Sequence, residues 1–347
     1  MILLIDPSDV LMFRESKPFG IEHHLARTTL PLPQTIAGAI RSSIYLSNDS
    51  KTVKDVIGYG NEEPGFEILG TFFYRRVNDK VEILSECPRD ITDTLRKVEP
   101  YRVGGIGVTI FKGESIHFKP FNGFLSFDGL VEYLSGKEVG RENLVRREDV
   151  FVLERRVGIA LTESRVTKEK HFYQTEMLRL RNGFGIAVWL DENLAELADH
   201  GMLRLGGEGR FARFEKLHLE PGCFAALTEN WNNIREEINK NGRVKLYFST
   251  PAIFENSGYT SKLNESELEE KLEVKKVEVV ASLTGKPLSF SGWDYVAKKP
   301  KPTRYAIPAG SVYFIEFEGR LNINEPYIKL GKLTKLGYGL CFLGVWP

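Results

Sequence analysis

The chain has 347 residues with 47 basic and 47 acidic side chains, so its formal net charge is zero. This length allows two domains with sizeable cores, and the neutral balance excludes a protein whose whole surface attracts nucleic acid. No apolar run approaches the ~20 residues of a membrane-spanning helix, so no membrane contact is expected.

The first residues predict strands followed by a helix. ILLI and VLMF, within residues 1–15, are apolar and strand-like around a DPSD turn, which is typical of a first β-strand rather than a signal peptide. A helix is predicted to begin just after Pro33, because isoleucines recur on one face: Ile36, Ile40 and Ile44. Thr35 and Gly38 lie together on another face, with Arg41 one turn beyond Gly38.

Strands dominate the rest of the first half. Strands are expected in 66–77 and 80–86, joined by a turn at 78–79, and then a hairpin or flexible arm at 102–118. A short helix at 128–136 is followed by a two-stranded excursion at 149–180 that turns near 162–170. A helix at 192–201, ended by glycine, and a last strand in 203–215 complete the first half.

The pattern restarts after a break at Glu220-Pro221-Gly222. An amphipathic helix is predicted over 228–242, followed by strands in 243–254, 275–283, 311–319 and 340–346. We therefore expect two domains, 1–221 and 222–347, of an α+β class without regular βαβα alternation. A β-α-β-β-α-β unit with insertions fits the first half best, and the second half is short of helix.

Two glycine segments share one pattern, LRLGGEGRFARFE at 203–215 and KLGYGLCFLGVW at 335–346. Bare backbone at such a loop lets N–H groups approach a phosphate or a nucleotide edge. Alternatively, the glycines make a tight bend or bulge before a strand. Neither segment fits a Walker A loop or a dinucleotide fingerprint, and the repetition leaves both interpretations open.

The stretch FSGWDYVAKKPKPTR at 290–304 combines aromatic and basic residues. Trp293 or Tyr295 would stack on a base. The phosphates would be neutralised by Lys298, Lys299 and Lys301, with Arg304 at the end of the same run. The alternative is a solvated basic loop whose tryptophan packs in the core. Arg155, Arg156 and Arg165, on the long excursion, are similar phosphate candidates, and a solvated face is the alternative for each.

No catalytic or metal-binding pattern stands out. The cysteines, Cys87, Cys223 and Cys341, form no CxxC pair, which argues against zinc or disulfides and indicates a reducing cytoplasm. None of the six histidines lies in HExxH, and GxSxG is absent. His23 and His24 would suit a metal-independent ribonuclease, but we expect no enzyme activity and no cofactor.

The sequence resembles the RAMP superfamily of CRISPR antiviral-defence proteins, and within it the third-subunit family of the Cmr (type III-B) effector complex. The segments that carry the resemblance are MILLIDPSDVLMFRESKPF, LPLPQTIAGAIR, RVGIALTESRVTKEKHFYQTEMLRL, LGGEGRF, SGWDYVAKKPKPTRYAIPAGSVYF and LGYGLCFLGVW. The resemblance implies an α+β fold of two ferredoxin-like (RRM-like) modules with antiparallel sheets and inserted β-hairpins. One inserted hairpin, within 102–118 or 155–170, would press on the RNA as a thumb.

The implied function is a non-catalytic RNA-binding subunit that holds the 5′ tag of the crRNA. The implied partners are the large polymerase-like subunit and a neighbouring backbone RAMP subunit. The resemblance places RNA contacts on the first helix and in the two glycine loops: Thr35, Gly38, Arg41, Gly206, Gly207, Gly209, Arg210, Gly337 and Gly339. The match is looser for Gly337 and Gly339. Arg14 joins these and the basic candidates named above.

Two alternatives stay open from the residues alone. One is a metal-independent crRNA-processing endoribonuclease that uses His24. The other is a regulatory module that binds a mononucleotide at a subunit interface through its glycine loops.

Overall fold

The computed structural model describes residues 1–15, 25–49, 51–60, 63–78, 80–94, 97–102, 109–112, 119–161, 167–191, 194–217, 222–255, 258–294 and 296–346. Within them the helices are α1 Pro33–Ser47, α2 Lys54–Ile57, α3 Phe127–Leu134, α4 Arg147–Val150, α5 Gly222–Asn241 and α6 Glu265–Leu272. The strands are β1 Ile2–Pro7, β2 Leu25–Ala26, β3 Ile68–Val77, β4 Lys80–Glu86, β5 Glu99–Arg102, β6 Thr109–Lys112, β7 Gly123–Ser126, β8 Leu144–Arg146, β9 Phe151–Leu161, β10 Thr167–Leu180, β11 Phe184–Leu190, β12 His200–Arg204, β13 Phe211–Leu217, β14 Arg243–Phe248, β15 Lys275–Leu283, β16 Leu288–Phe290, β17 Trp293–Asp294, β18 Lys299–Pro300, β19 Arg304–Ala306, β20 Val312–Glu318, β21 Tyr327–Lys329 and β22 Leu340–Val345.

The chain divides into two compact units. The first comprises Met1–Thr71, Glu148–His218 and Ser289–Arg304, and the second comprises Phe72–Arg147, Leu219–Leu288 and Tyr305–Pro347. The domain boundary expected near residue 221 lies close to only one of the five points where the chain passes between these units. The division into 1–221 and 222–347 therefore stays a prediction.

The first unit is built around β1, whose residues Ile2 to Ile5 are all buried. Its sheet runs β12-β13-β1-β11-β3, and β1 is antiparallel to both β11 and β13. The predicted isoleucine face of α1 is confirmed, because Ile36, Ile40 and Ile44 are fully buried. Burying such side chains stabilises the unit by about 1.5–3 kcal/mol each. The predicted long excursion is also confirmed, as the antiparallel hairpin β9–β10.

Two sequence predictions in this unit are wrong. The helix expected at 192–201 does not form over the described residues 194–199, which make turns before β12 begins at His200. Tertiary hydrogen bonds hold these turns, because the Asn48 side chain donates to the Glu196 carbonyl at 2.9 Å and the Lys216 ammonium donates to the Leu194 carbonyl at 2.7 Å. The segment VLMF at 10–13 is buried, but its only ladder contact among the described residues is an isolated bridge at Leu11, so it is no regular strand.

The second unit contains β3 from Phe72 onward, with β4, β7 and β8 following in the same sheet order. It also contains an antiparallel sheet in the order β15-β20-β14-β22-β21. The amphipathic helix predicted here is confirmed as α5, with Trp231, Ile234 and Ile238 buried and Gly242 following its end at φ +61°. The expectation of little helix missed α6, which Asn264 caps by accepting from the Ser266 and Glu267 N–H groups.

A buried charged network lies in the core of the second unit. The Lys245 ammonium lies 3.2 Å from the Asp90 carboxylate and 3.8 Å from the centre of the Tyr133 ring. The Tyr133 hydroxyl donates to the other Asp90 oxygen at 2.7 Å. Both charged side chains are almost fully buried, so each depends on the other for compensation.

The protein is α+β with mostly antiparallel sheets, as expected. Between β1 and β3 lie the short strand β2 and the helices α1 and α2, and between β14 and β15 lies α6. The arrangement of each half as a ferredoxin-like β-α-β-β-α-β module stays a prediction. No described helix is both long and apolar enough to cross a membrane.

The two candidate thumb hairpins are only partly described. β5 and β6 pair antiparallel, as do β9 and β10. Residues 103–108 and 162–166, including Arg165, lie outside the described residues. Which hairpin acts as a thumb therefore stays a prediction.

Candidate nucleic-acid interface

The first glycine segment forms the turn between β12 and β13, in the first unit. Gly206 has φ +78° and Gly209 has φ +61°. The Gly207 N–H donates to the Met12 carbonyl at 2.8 Å, and the Leu205 N–H donates to the Arg210 carbonyl at 2.9 Å. A Cβ added at Gly206 would lie 2.5 Å from the Met12 oxygen, which is too close for any other residue. Packing and backbone conformation therefore both require glycine at 206.

The two other glycines of this turn are different. Both Gly207 and Gly209 are exposed. A Cβ at Gly207 would come no closer than 3.7 Å to its nearest neighbour, and one at Gly209 would meet nothing within 4 Å. Packing leaves room for a side chain at both positions. Glycine here leaves the backbone accessible, which is what a phosphate or nucleotide edge requires.

An arginine cluster lies beside the turn, around the carboxylate of Asp9. Arg179 on β10 hydrogen bonds Asp9 with 2.9 Å between Nη2 and Oδ1. Arg210 and Arg156 bring their guanidinium groups to 3.5 and 3.6 Å from Oδ2. Glu154 on β9 accepts from the Arg179 Nη2 at 3.2 Å and from Arg156 at 3.4 Å. We call Asp9, Glu154, Arg156, Arg179 and Arg210 the arginine cluster.

The ionisation of the cluster follows from these contacts. Partial desolvation acts to raise the pKa of Asp9, but the hydrogen bond and charge of Arg179 outweigh it, so the pKa is lowered. The hydrogen bond from Arg179 also lowers the pKa of Glu154, and Glu154 raises the pKa of Arg179. Asp9, Glu154 and Arg179 are therefore charged at neutral pH. The cluster brings three guanidinium groups to two carboxylates. The Arg210 Nε is buried and finds no acceptor among the described residues.

Other predicted basic residues lie apart from the cluster contacts. Arg155 is exposed on β9, with its Nε 3.5 Å from the buried Glu176. Arg14 is exposed and forms an isolated bridge with Thr28. The role of both residues in RNA binding stays a prediction.

The predicted face of α1 is half-buried at Thr35, Gly38 and Arg41. A Cβ at Gly38 would meet nothing within 4 Å. The Arg41 guanidinium donates to the Gly58 carbonyl at 2.9 Å. Burial lowers the pKa of Arg41, opposed by the negative charge of Asp294. Asp294 belongs to the stretch at 290–304, called here the basic stretch. The helix α1 and the basic stretch therefore share one surface of the first unit.

The basic stretch folds as a small hairpin, with Trp293 paired with Pro300 and Asp294 with Lys299. The Asp294 carboxylate accepts from the two backbone N–H groups of Val296 and Ala297, at 3.0 and 2.9 Å. These bonds, that of Ala297 first, lower the pKa of Asp294. The hairpin sits beside α1, because the Gln34 side-chain amide donates to the Ser291 carbonyl at 2.9 Å.

Trp293 is 51% exposed, which excludes a core position for it. Lys298 and Lys299 are exposed on the same hairpin, and Lys298 has φ +51°. Arg304, at the end of the stretch, is half-buried. An exposed indole between lysines is the combination that binds single-stranded nucleic acid.

The second glycine segment, in the second unit, has a structural role. Gly337 and Gly339 are buried, and their N–H groups donate to the carbonyls of Thr334 and Pro251, at 3.0 and 2.8 Å. A Cβ at Gly339 would lie 2.0 Å from the Leu330 oxygen. Close backbone packing explains glycine at 339, and both N–H groups already have protein acceptors. RNA contact by Gly337 and Gly339 stays a prediction.

Sequence reasoning missed Asp9, Glu154 and Arg179. Asp9 was visible only as part of the DPSD turn. Arg179 lies in the predicted excursion at 149–180, and its position opposite Val152 depends on the register of β10 against β9. Histidines 23 and 24 lie outside the described residues, and no described group of His, Cys, Asp and Glu side chains could hold a metal ion.

Two solved structures of the "Type III-B Cmr-beta bound to cognate target RNA", the second also with AMPPnP, contain chains of similar fold. Both have a TM-score of 0.51, with 17% and 19% sequence identity, and each match covers 90% of this chain and 86% of the other. No curated protein matches the sequence.

The family model described as "CRISPR-associated protein (Cas_Cmr3)" matches residues 3–346, nearly the whole chain. The chain belongs to the Cas_Cmr3 family of CRISPR-associated proteins.

Proposed function

We propose that this protein, a Cas_Cmr3 family subunit of a type III CRISPR effector complex, holds the 5′ tag of the crRNA on the first unit. The observation that supports this most is the arginine cluster beside the exposed glycines of the β12–β13 turn. In this proposal the subunit has no catalytic role. It presents the tag beside the large polymerase-like subunit and a neighbouring backbone RAMP subunit.

The surface of the first unit offers what a short, fixed RNA segment needs. Arginine forks bind phosphates, accessible backbone N–H groups donate to phosphate or base edges, and an exposed aromatic ring stacks on a base. Arg156 and Arg210 supply the first, the exposed backbone at Gly209 the second, and Trp293 the third. The neighbouring Gly207 N–H already donates to the Met12 carbonyl, so Gly207 contributes only an open approach to the turn. The net charge of zero agrees with a groove that partner subunits complete.

The solved structures of similar fold are described as bound to target RNA. Their likeness to this chain supports the fold. RNA binding by this chain rests on the residues of the first unit, so the experiment must address those residues.

The test measures crRNA binding by the assembled complex with Arg41 and Arg210 changed to alanine. Each lost arginine contact should weaken binding. The expected loss is about 1–3 kcal/mol for an arginine that forms two hydrogen bonds to a base, and less for an arginine that contacts only a phosphate. Arg320→Ala is the matched control, because this exposed arginine of the second unit pairs only at the surface with Glu236, at 2.7 Å. The assay uses crRNA with its own tag and crRNA with a replaced tag.

The proposal predicts weaker binding of tagged crRNA by the double variant and wild-type binding by Arg320→Ala. Equal binding by both variants would show that the site is elsewhere. Running the assay in EDTA and following the RNA length also tests the ribonuclease alternative, which predicts a specific cut.

A further inference from the structure

Asp9 lies at the centre of the arginine cluster, but its carboxylate does not accept a hydrogen bond from every guanidinium donor that faces it. Only the Arg179 contact, at 2.9 Å, is a normal hydrogen bond, while those of Arg210 and Arg156 are 3.5 and 3.6 Å long. The Arg210 Nε is buried without an acceptor. Three guanidinium groups from three elements thus converge on one point, where the present anion leaves donors unused.

Asp9 is also the more replaceable of the two carboxylates. It lies in the bend after β1, and its side chain is 45% exposed, against 33% for Glu154. Glu154 is fixed on β9 and accepts two hydrogen bonds from Arg179, through Nε and Nη2. A rotation of the Asp9 side chain into water breaks its bond from Arg179 and the bond that it accepts from the Val10 N–H. Moving Glu154 breaks both bonds from Arg179 and the bond from Arg156.

From this geometry we infer that Asp9 is an internal stand-in for an RNA phosphate, and that binding RNA displaces its carboxylate from the three arginines. The inference rests on the proposed function. Both the carboxylate and a phosphodiester are monoanions, so the exchange leaves the local charge unchanged. The phosphate offers more acceptor positions at the convergence point, including one for the unpaired Arg210 donor.

An anion that RNA must displace competes with RNA for the arginines. Removing its charge should therefore increase the affinity for RNA. Asp9→Asn keeps the side-chain shape and removes the competing charge. The variant should bind RNA about threefold to tenfold more tightly than the wild type, with a steeper dependence on salt, because more positive charge is then open to phosphate. An Asp9 that only positions the arginines would give the opposite result.

Glu154→Gln is the matched control, since it removes the same charge from the same cluster. It also replaces one of the two acceptor oxygens that hold Arg179 and Arg156 by an NH2 donor. We expect no gain in RNA affinity, and a loss if the arginines move. Equal tightening by both variants would mean that net charge alone matters and would overturn the inference.

The experiment measures fluorescence anisotropy of 5′-labelled crRNA, with its own tag and with a replaced tag, on assembled complex at several salt concentrations. Asp9→Ala is included, and thermal melting verifies that each variant folds. If wild type discriminates the tag but neither Asp9 variant tightens binding, the inference fails and the proposed function stands. If both Asp9 variants tighten both RNAs equally and wild type shows no tag preference, the phosphate exchange stands and the tag function fails.

Discussion

An alanine series through the β12–β13 turn separates structural from functional glycines. Gly206→Ala introduces a Cβ 2.5 Å from the Met12 carbonyl oxygen, at a φ of +78°. Gly209→Ala introduces one at φ +61° with nothing within 4 Å, so it carries backbone strain alone. Gly207→Ala carries neither, since its nearest neighbour is 3.7 Å away.

The magnitudes follow from these differences. A left-handed conformation costs a non-glycine residue roughly 1–2 kcal/mol, which is the whole expected cost at Gly209. At Gly206 the Met12 carbonyl must also move, which weakens the hydrogen bond from the Gly207 N–H, worth about 1 kcal/mol net. We expect Gly206→Ala to lower the free energy of unfolding by about 2–3 kcal/mol and Gly207→Ala to change it by less than about 0.5 kcal/mol.

Urea unfolding followed by circular dichroism measures the series, with crRNA binding by the same proteins as a second readout. Stability should fall in the order 207, 209, 206. Gly207→Ala should stay folded yet bind crRNA more weakly, because its methyl group stands where RNA approaches the backbone. A Gly206→Ala protein as stable as Gly207→Ala would refute the reasoning from packing. Unchanged RNA affinity in Gly207→Ala would refute the functional role of that glycine.

Three further predictions concern other parts of the molecule. Lys245→Met leaves the Asp90 carboxylate buried without its cation, and it should lower the free energy of unfolding by about 3–5 kcal/mol in urea; a loss below about 1 kcal/mol would contradict a compensated pair. Burial, followed by the charge of Lys245, lowers the pKa of Lys97 from 10.5 to about 8, so the unfolded chain binds more protons between these values. The free energy of unfolding of the wild type should therefore rise relative to that of Lys97→Met as pH increases through this window, and parallel curves would contradict the assignment. Trp293→Ala should weaken crRNA binding by about 1–3 kcal/mol with little change in stability, and Trp293→Phe should retain most of the affinity; wild-type binding by the alanine variant would exclude stacking.

The helices show where sequence periodicity suffices. The isoleucine spacing of α1 and the apolar face of α5 were predicted correctly because each pattern is long enough to define a face. The helix α6 was missed although Asn264 is a good cap, since only Leu268 and Leu272 are buried in a highly charged segment. The turns at 194–199 were mistaken for a helix because Leu194 and Leu197 have helical spacing. In the structure, hydrogen bonds from the Asn48 and Lys216 side chains to backbone carbonyls of this segment hold it in turns.

The site shows where local sequence is insufficient. Arg156 and Arg210 were identified singly, as basic residues in promising segments. Their meeting with Arg179 at Asp9 depends on two long-range pairings, β10 with β9 and β13 with β1. Strand register is set by tertiary contacts, so the cluster could not be read from the sequence alone. The exposure of Trp293 was one of two open interpretations, and the hairpin geometry decides it.

The central claim is that the first unit contacts the 5′ tag of the crRNA. Photocrosslinking of the assembled complex to crRNA with a photoreactive nucleotide in the tag, followed by mass spectrometry of the peptides, tests it most directly. The account predicts crosslinks in residues 205–211 and 291–301, lost when the arginine cluster is changed. Tag crosslinks confined to the second unit, or absent from this chain, would contradict it.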